Sequence, residues 1–375
     1  MPIKLFKVKN KIVYISRQFN HPTLDFTLLK DAIEKIDPSI ENVMLTKRLE
    51  KGLKNSILYI LHIFKQMYHI STSKIVIVDT YCIAVSVLNH KKDTKIIQIW
   101  HALGAIKKFG FQTINKQTGS SEKIAKIMCM HKNYDYVLAP SDITKNIFLE
   151  AFNIKEEQIK KIALPRVDYI LKKKDPNEIY ETYPELKEKE NILYVPTFRK
   201  GKKIRIKKII ENFNTDKYNL IIKLHPLDKK QYQYLEKDGV IYDDKFKSYD
   251  LLEVVDRIIT DYSSLAIETS LLNKPIYFYT YDIKTYQEDP GLNFEFEKEK
   301  IGKYMAKNSE ELINLLEEEY DYSVLEDFRN RYITVNTNNC ANQLANFILE
   351  IMINYEYKEK VKEEYNSSSE EKLNI

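Results

Sequence analysis

The sequence predicts an α/β protein made of two units in tandem, each built on a parallel sheet. Three observations predict this class. Short runs rich in Ile and Val recur along the chain, which is typical of strands buried on both faces. Helical stretches separate these runs, and this alternation favours parallel pairing. A charged segment divides the runs into two sets, and a chain of 375 residues has room for two domains of ordinary size.

The predicted strands follow one another in both halves of the chain. In the first half they are KIVYIS (11–16), NVMLT (42–46), KIVIVDT (74–80), TKIIQIWH (94–101) and YDYVLAPS (134–141). In the second half they are NILYVPTF (191–198), YNLIIKLHP (218–226), DRIITDYSS (256–264) and KPIYFYTYD (274–282). One sheet in each half is the simplest account of this repetition.

The segments between and after these runs predict the domain organisation. KKKDPNEIYETYPELKEKE is charged and contains two prolines, as expected of an exposed linker with a short helix. An apolar stretch near the end predicts a helix that crosses back to the first domain, and a polar tail follows it. The predicted parts are a first domain (1–171), a linker (172–190), a second domain (191–340), a returning helix (about 341–357) and a disordered tail (358–375).

The composition excludes several classes of protein. Hydrophobic residues at 43% and charged residues at 30% are an ordinary globular balance. The net charge of +5 is too small to indicate nucleic acid, but it is compatible with anionic substrates or an anionic lipid surface. Three widely spaced cysteines argue against a disulfide framework or a zinc site and fit a reducing cytosol. With no secretory signal pattern and no long apolar stretch, we expect neither secretion by that route nor a membrane span.

Chemically capable side chains follow the apolar runs directly. They are His101, Ser141, Thr197, His225 and Asp261, and they come from both halves of the chain. Open parallel sheets bind ligands at the carboxyl ends of their strands. The sequence therefore predicts a site in a cleft between the two domains.

The segment DRIITDYSSLAIETSLLNKP predicts a phosphate site. A strand ends at Asp261, and Ser263 or Ser264 is a natural N-cap for the helix that follows. Free N–H groups and the helix dipole would attract a phosphate there, and Glu268 would lie one turn along, within reach of ribose hydroxyls. Plain capping, with Glu268 on a solvated face, explains the same pattern equally well.

Two histidines and several cations extend this site. His101 and His225 each end a strand, one in each half, as general acid–base or phosphate-orienting work across a cleft would require. A structural histidine at a strand end is the competing explanation. The candidate substrate contacts nearby are Lys107, Lys108, Arg166 and Asp168, and Thr197 and Arg199 add a hydroxyl and a cation at a further loop. The lysines after Arg199 could equally form a solvated basic loop.

The stretch KRLEKGLKNSILYILHIFKQMYHI (47–70) predicts a helix with an apolar stripe. The stripe contains Leu53, Ile57, Ile60, Leu61 and Phe64, and the flanking cations are Lys47, Arg48, Lys51, Lys54 and Lys65. This pattern fits an interfacial helix on anionic lipid. More often such a stripe is core, so both interpretations stay open.

Five blocks occur in a fixed order between about Trp100 and Asn293. They are W-H-x-x-G-x-x-K-K-x-G-F, P-R-x-D, Y-x-P-T-F-R, L-H-P and T-D-Y-S-S-x-x-x-E. Together these blocks resemble the CDP-glycerol glycerophosphotransferase family of teichoic acid synthesis. The resemblance implies a GT-B-like fold of two Rossmann-type domains, with the acceptor on the first domain and the CDP donor on the second. The family's H-G-T-P is replaced by His101-Ala102-Leu103-Gly104, and a late D-G-x-[AS] block by Asn338-Asn339-Cys340-Ala341. These departures leave the alditol and the acceptor open.

The resemblance also implies residue roles. His101 matches a catalytic base, and His225 matches a second essential histidine, which would contact the donor diphosphate in its protonated form. The positions that match the donor phosphate and nucleotide site are Thr197, Arg199, Asp261, Ser263, Ser264 and Glu268. No cofactor is implied, although Mg²⁺ stays open because Asp261 could bind it.

The implied function is transfer of glycerol phosphate or ribitol phosphate from a CDP-alditol to a lipid-linked or glycan acceptor, with release of CMP. The resemblance implies a cytoplasmic enzyme associated peripherally with the bacterial membrane. One alternative is a GT-B glycosyltransferase that uses a nucleotide sugar, because fold does not fix the group transferred. Another is an inactive nucleotide- or glycan-binding subunit.

Overall fold

The structure, a computed structural model, describes residues 6–50, 52–199, 204–225 and 235–354. It contains two six-stranded sheets in which every strand pair is parallel. The α/β class predicted from the sequence is confirmed. The predicted tail at 358–375 lies outside the described residues.

The first sheet has the strand order β2-β1-β3-β4-β5-β6. Its strands are β1 (Lys9–Ser16), β2 (Glu41–Thr46), β3 (Ser73–Val78), β4 (Lys95–Gln98), β5 (Tyr136–Leu138) and β6 (Ile159–Lys160). The helices of this part are α1 (Leu24–Ile36), α2 (Leu53–Ser71), α3 (Ile83–Val87), α4 (Glu122–Ile127), α5 (Asp142–Phe152) and α6 (Arg166–Leu171). We call this part the N-terminal domain. Its strand order reverses between β1 and β3, so a crevice opens there at the strands' carboxyl ends.

The second sheet has the strand order β12-β11-β10-β7-β8-β9. Its strands are β7 (Glu190–Tyr194), β8 (Tyr218–Ile222), β9 (Val240–Tyr242), β10 (Arg257–Thr260), β11 (Ile276–Tyr279) and β12 (Met305–Ala306). The helices around it are α8 (Ile206–Asn212), α9 (Ser248–Leu251), α10 (Leu265–Thr269), α11 (Ile283–Glu288), α12 (Ser309–Glu317) and α13 (Tyr322–Tyr332). We call this part the C-terminal domain. Here the order reverses between β7 and β10.

The segment predicted as an exposed linker is only partly exposed. It forms α7 (Asn177–Thr182), the predicted short helix, followed by a 3₁₀ turn over Pro184–Lys187. Ile179 and Leu186 are buried there in a cluster with Leu193 and Ile221 of the second sheet. Because apolar side chains are spaced between the charges, this segment packs on the C-terminal domain.

A final helix, α14 (340–354), lies against the N-terminal domain. The ring of Phe347 packs edge-on against Tyr136 of β5, with ring centroids 5.1 Å apart. The carboxylate of Asp168 accepts hydrogen bonds from the backbone N–H groups of Cys340 (2.7 Å) and Ala341 (2.9 Å). These contacts hold the end of the described chain on the first sheet.

Three short strands, β6, β9 and β12, were not predicted from the sequence. They lie at the edges of the two sheets and have two or three residues each. So short a run leaves no periodic pattern to detect. The central strands were predicted because their side chains are buried throughout, as in β3 and β8.

Candidate active site

A cleft of about 2480 Å³ separates the carboxyl ends of the two sheets. Both domains line it, and His101 and His225 face the same space from opposite sides. Each reversal of strand order opens toward this cleft, with Asp79 following β3 and Arg199 following β7. The predicted cleft between the two halves of the chain is therefore present, and the ligand site predicted in it stays a prediction.

A sharp backbone turn positions His101. Trp100 has a φ of +64°, in the left-handed backbone region that residues other than glycine rarely adopt. Its N–H donates to the Oε1 of Gln98 (2.8 Å), and its ring stacks on Phe109 with centroids 4.2 Å apart. This packing holds the turn, so the next side chain, His101, points into the cleft.

The surroundings of His101 favour a neutral imidazole. Its Nδ1 lies 3.1 Å from the backbone oxygen of Asp79, so Nδ1 carries the proton and donates it. Burial lowers the pKa of His101 to about 4, and the hydrogen bond to Asp79 offsets this only in part. At neutral pH the Nε2 atom is therefore an unprotonated acceptor, as a general base requires.

His225 follows β8 and lies against Phe198, with ring centroids 5.0 Å apart. Burial lowers the pKa of His225, and the charges of Arg48 and Lys107 lower it further. The expectation that His225 is protonated therefore does not describe the free protein. A bound diphosphate would reverse this preference, because an anion beside an imidazole favours its charged form.

Thr197, Arg199 and Asp261 bond mainly to one another. Asp261 accepts hydrogen bonds from the N–H of Thr197 (3.0 Å), from Nη1 of Arg199 (2.7 Å) and from the N–H of Tyr262 (2.7 Å). Arg199 also pairs with Asp282 through Nε (2.8 Å) and Nη2 (3.1 Å). These groups fix the loops after β7 and β10, and the direct phosphate contact predicted for them stays a prediction.

Ser263 and Ser264 both line the cleft. Ser264 is the N-cap of α10, but its hydroxyl donates to the backbone oxygen of Gly104 in the other domain (3.0 Å). The hydroxyl of Ser263 accepts from the N–H of Leu265 at 3.3 Å. Ser264 thus occupies the predicted N-cap position without a capping side-chain hydrogen bond, and its hydroxyl joins the two domains instead.

Glu268 is buried, not solvated as the plain-capping interpretation assumed. Its carboxylate accepts hydrogen bonds from Arg166 (3.1 Å) and from the hydroxyl of Tyr249. Arg166 also pairs with Asp25 of α1, through Nε at 2.9 Å. Arg166 therefore bridges the two domains at the floor of the cleft. The predicted contact of Glu268 with a ribose stays a prediction.

The remaining predicted contacts divide into two groups. Lys107 and Lys108 line the cleft, and burial lowers the pKa of Lys107 while Asp261 raises it. Asp168 does not line the cleft; its carboxylate caps α14 instead. The aspartate in P-R-x-D therefore faces the returning helix, and the substrate contact predicted for Asp168 stays a prediction.

Arg17 and Asp79 line the cleft and were not predicted. Both directly follow a strand, β1 and β3, at the reversal of strand order in the first sheet. Asp79 is 2% exposed, and burial raises its pKa to about 7. The nearby hydroxyls of Ser16 and Thr80 lower this pKa in part. Neither carboxylate oxygen of Asp79 has a hydrogen-bond partner among the described residues. Arg17 and Asp79 each follow an apolar run directly, and this position was the signal that could have identified them from the sequence.

Hydrogen bonds to backbone oxygens join the domains along one edge of the cleft. The Nδ2 atom of Asn293 donates to the backbone oxygens of Ala105 and Lys107, each at 3.2 Å. Gly104 approaches the C-terminal domain so closely that a Cβ there would lie 2.7 Å from Cδ1 of Ile267. The glycine in His101-Ala102-Leu103-Gly104 therefore allows the domains to pack closely without displacing the side chain of Ile267.

Within 6–50, 52–199, 204–225 and 235–354, no three His, Cys, Asp or Glu side chains are grouped as metal ligands would be. In the same part of the chain, no helix has the length and apolar character needed to cross a bilayer.

The fold and the cleft define the class: a two-domain GT-B-like protein with a cleft between paired Rossmann-type sheets. The chain is similar to the solved structure of the wall teichoic acid polymerase TagF, with a TM-score of 0.70, 19% identity and coverage of 94% of this chain and 90% of that chain. At this identity the likeness shows the fold, and the predicted GT-B-like fold is confirmed.

The model of the CDP-glycerol:poly(glycerophosphate) glycerophosphotransferase family matches residues 1–350. The chain belongs to this family. It is 34% identical over 330 residues to the teichoic acid ribitol-phosphate primase of Bacillus spizizenii, covering 84% of each chain. It is also 34% identical over 330 residues to the teichoic acid glycerol-phosphate primase of Bacillus subtilis, covering 86% of this chain and 83% of that protein. The resemblance stated from the sequence blocks is confirmed, and so is the predicted class of enzyme.

Proposed function

We propose that this protein transfers glycerol phosphate or ribitol phosphate from a CDP-alditol to a hydroxyl of a lipid-linked or glycan acceptor in teichoic acid synthesis. The observation that carries the proposal is the placement of His101 and His225 on opposite walls of one cleft. The family and the two primases support the choice of a CDP-alditol. A donor screen with CDP-glycerol and CDP-ribitol distinguishes the two alditols.

In the proposed reaction, the acceptor hydroxyl attacks the phosphorus atom that carries the alditol. A new oxygen–phosphorus bond forms, the bond to the bridging oxygen breaks, and CMP leaves with that electron pair. Nε2 of His101 accepts the hydroxyl proton, since its Nδ1 is already committed to the backbone of Asp79. Such transfers depend mainly on alignment and on stabilising charge at the phosphoryl oxygens.

Side chains of the cleft would supply the positive charge and the hydrogen bonds that stabilise the phosphoryl oxygens. Lys107, Lys108 and the hydroxyl of Ser263 line the cleft, whereas Arg199 is held by Asp261 and Asp282. We propose that His225 becomes protonated when the diphosphate binds and contacts it. We also propose that transfer needs no metal, because the carboxylate of Asp261 already accepts hydrogen bonds from its neighbours. Activity that survives EDTA would support this last point, and loss restored by Mg²⁺ would contradict it.

A donor screen tests the proposed function. Purified protein is incubated with CDP-glycerol, CDP-ribitol and a panel of sugar nucleotides, and release of CMP or UDP is measured. We expect CMP release from one CDP-alditol, at least about a hundredfold less from His101→Ala, and a comparable loss in His225→Ala. CDP should still bind His101→Ala, because that residue lies on the opposite domain from the donor.

Three outcomes would contradict the proposal. Equal CMP release by all three proteins would remove the assigned histidine roles. Turnover of a sugar nucleotide without any CDP-alditol turnover would favour the glycosyltransferase alternative, and CDP binding without turnover of any donor would favour the inactive subunit.

We further propose a cytoplasmic location with peripheral membrane association through α2. The stripe predicted from the sequence is exposed, not core: Leu53, Ile57, Ile60, Leu61 and Phe64 are 53 to 81% exposed. The opposite face of α2, with Met67 and Ile70, packs in the core. An exposed apolar stripe flanked by cations fits an anionic lipid surface. Of those cations, Lys51 lies outside the described residues.

Vesicle sedimentation tests this part of the proposal. The double substitution Leu61→Gln with Phe64→Gln should release the protein from phosphatidylglycerol vesicles. Ile353→Gln is the matched control, because Ile353 is an exposed apolar residue (65%) on α14. Equal release by the control would contradict a specific role for α2.

A further inference from the structure

Arg17 occupies the reversal of strand order in the N-terminal domain, one residue after β1 ends. It lines the cleft on the same side as His101. Its Nη1 donates to the backbone oxygen of Tyr81 (3.0 Å), and its guanidinium lies 5.9 Å from the centre of that residue's ring. The guanidinium is therefore held in one orientation beside the cavity.

Arg17 differs from the two other arginines that line the cleft. Arg166 pairs with Asp25 and Glu268, and Arg199 pairs with Asp261 and Asp282. Among the described residues, Arg17 has no carboxylate within ion-pair distance. Its Nε is buried and has no hydrogen-bond partner in that part of the chain. A buried guanidinium N–H without an acceptor is costly, so an anionic acceptor at this point would be stabilised.

The surroundings of Arg17 indicate where such an anion comes from. This wall of the cavity includes Tyr59 and Ile63, which belong to the inner face of α2. It also includes Phe19 and Leu49, which are 47% and 50% exposed. The cavity thus runs from His101 past Arg17 toward the helix that carries the exposed apolar stripe.

We propose that Arg17 binds a phosphate group of the acceptor, on the lipid-proximal side of the hydroxyl that attacks. This proposal rests on the proposed function, since it assigns the acceptor to the N-terminal domain. A guanidinium suits a phosphodiester or diphosphate because its N–H groups match two phosphate oxygens. The site gives the enzyme a way to prefer acceptors that already carry a phosphate.

Two soluble probes with identical hydroxyls test this site. Octyl glycerol phosphate carries a phosphodiester, and octyl glycerol ether carries none. Binding of each is measured by calorimetry in the presence of CDP, to the wild type and to Arg17→Gln, Arg17→Lys and Arg331→Gln. Arg331 is an exposed arginine outside the cleft and serves as the matched control.

We expect the wild type and Arg331→Gln to bind the phosphate probe at least about tenfold more tightly than the ether, as for a desolvated charge-assisted contact. Arg17→Gln should abolish that difference, and Arg17→Lys should retain part of it. CDP affinity should be equal in all four proteins, which also shows that the variants are folded. An unchanged preference in Arg17→Gln would overturn the proposal.

Other anion sources give distinguishable results. If Arg17→Gln weakens CDP binding as much as probe binding, the anion is the donor's diphosphate and the proposal is wrong. If Arg17→Gln lowers binding to phosphatidylglycerol vesicles, the anion is a lipid headgroup and the proposal is equally wrong. Because these measurements need no turnover, their failure is separate from failure of the donor screen.

Discussion

The two reversals of strand order face the same cleft, yet they hold their charges differently. In the C-terminal domain, Arg199 is enclosed by Asp261 and Asp282, with hydrogen bonds on three of its nitrogens. In the N-terminal domain, Arg17 and Asp79 lie at the equivalent position without an ion pair among the described residues. The first arrangement stabilises loops, and the second leaves groups available for a substrate.

This difference predicts effects of opposite sign when a carboxylate is neutralised on each side. A charge buried beside a partner stabilises its surroundings only while the partner remains. A charge buried without a partner destabilises the fold whenever it is ionised. Stability measurements on single substitutions therefore test this difference between the two domains directly.

The largest expected effect is on the C-terminal side. Asp261→Asn should lower the free energy of unfolding by about 3 to 5 kcal/mol, because it leaves Arg199 buried with one fewer carboxylate. Denaturant unfolding measures this. Asp327→Asn is the control, since Asp327 pairs with exposed Lys300 at 2.8 Å and should lose about 1 kcal/mol or less. Equal losses would show that the Arg199 network is not a stabilising unit.

On the N-terminal side the sign reverses. Burial raises the pKa of Asp79 from its ordinary 3.8 to about 7, so the folded protein favours the protonated acid. The contribution of Asp79 to wild-type stability should therefore fall as the pH rises from about 4 to 7. Asp79→Asn removes this cost and should stabilise the protein by about 2 to 4 kcal/mol at pH 8, but hardly at pH 4. Denaturant unfolding at both pH values measures it, and a loss of stability at pH 8 would refute the comparison.

The smallest expected effect concerns the contact between the two sides. Gly104→Ala places a Cβ 2.7 Å from Cδ1 of Ile267 and should cost about 1 to 2 kcal/mol. Ile267→Val removes that atom, so the double variant should lose less than the sum of the two single losses. Additive losses would mean that the domains do not meet at Gly104 as described.

The sequence predicted much of this site because strand ends are visible in it. An apolar run followed by His101, Thr197, His225 or Asp261 marks a carboxyl end, and parallel strands bring such ends together. The partners of these groups were not predictable. Asp282 lies 83 positions after Arg199 along the chain, and no local pattern connects them. Asp168 shows the same limit, because its role depends on a helix that returns from the end of the described chain.

The exposed stripe of α2 shows most clearly what residue spacing determines and what tertiary packing determines. Residue spacing alone determined that Leu53, Ile57 and Phe64 share one face of a helix, because a helix repeats every 3.6 residues. Only the tertiary structure decided that this face lies outside, since burial depends on which surfaces the rest of the chain covers. The same division holds for charge: the sequence determined which ionisable groups end the strands, and packing decided which of them are paired.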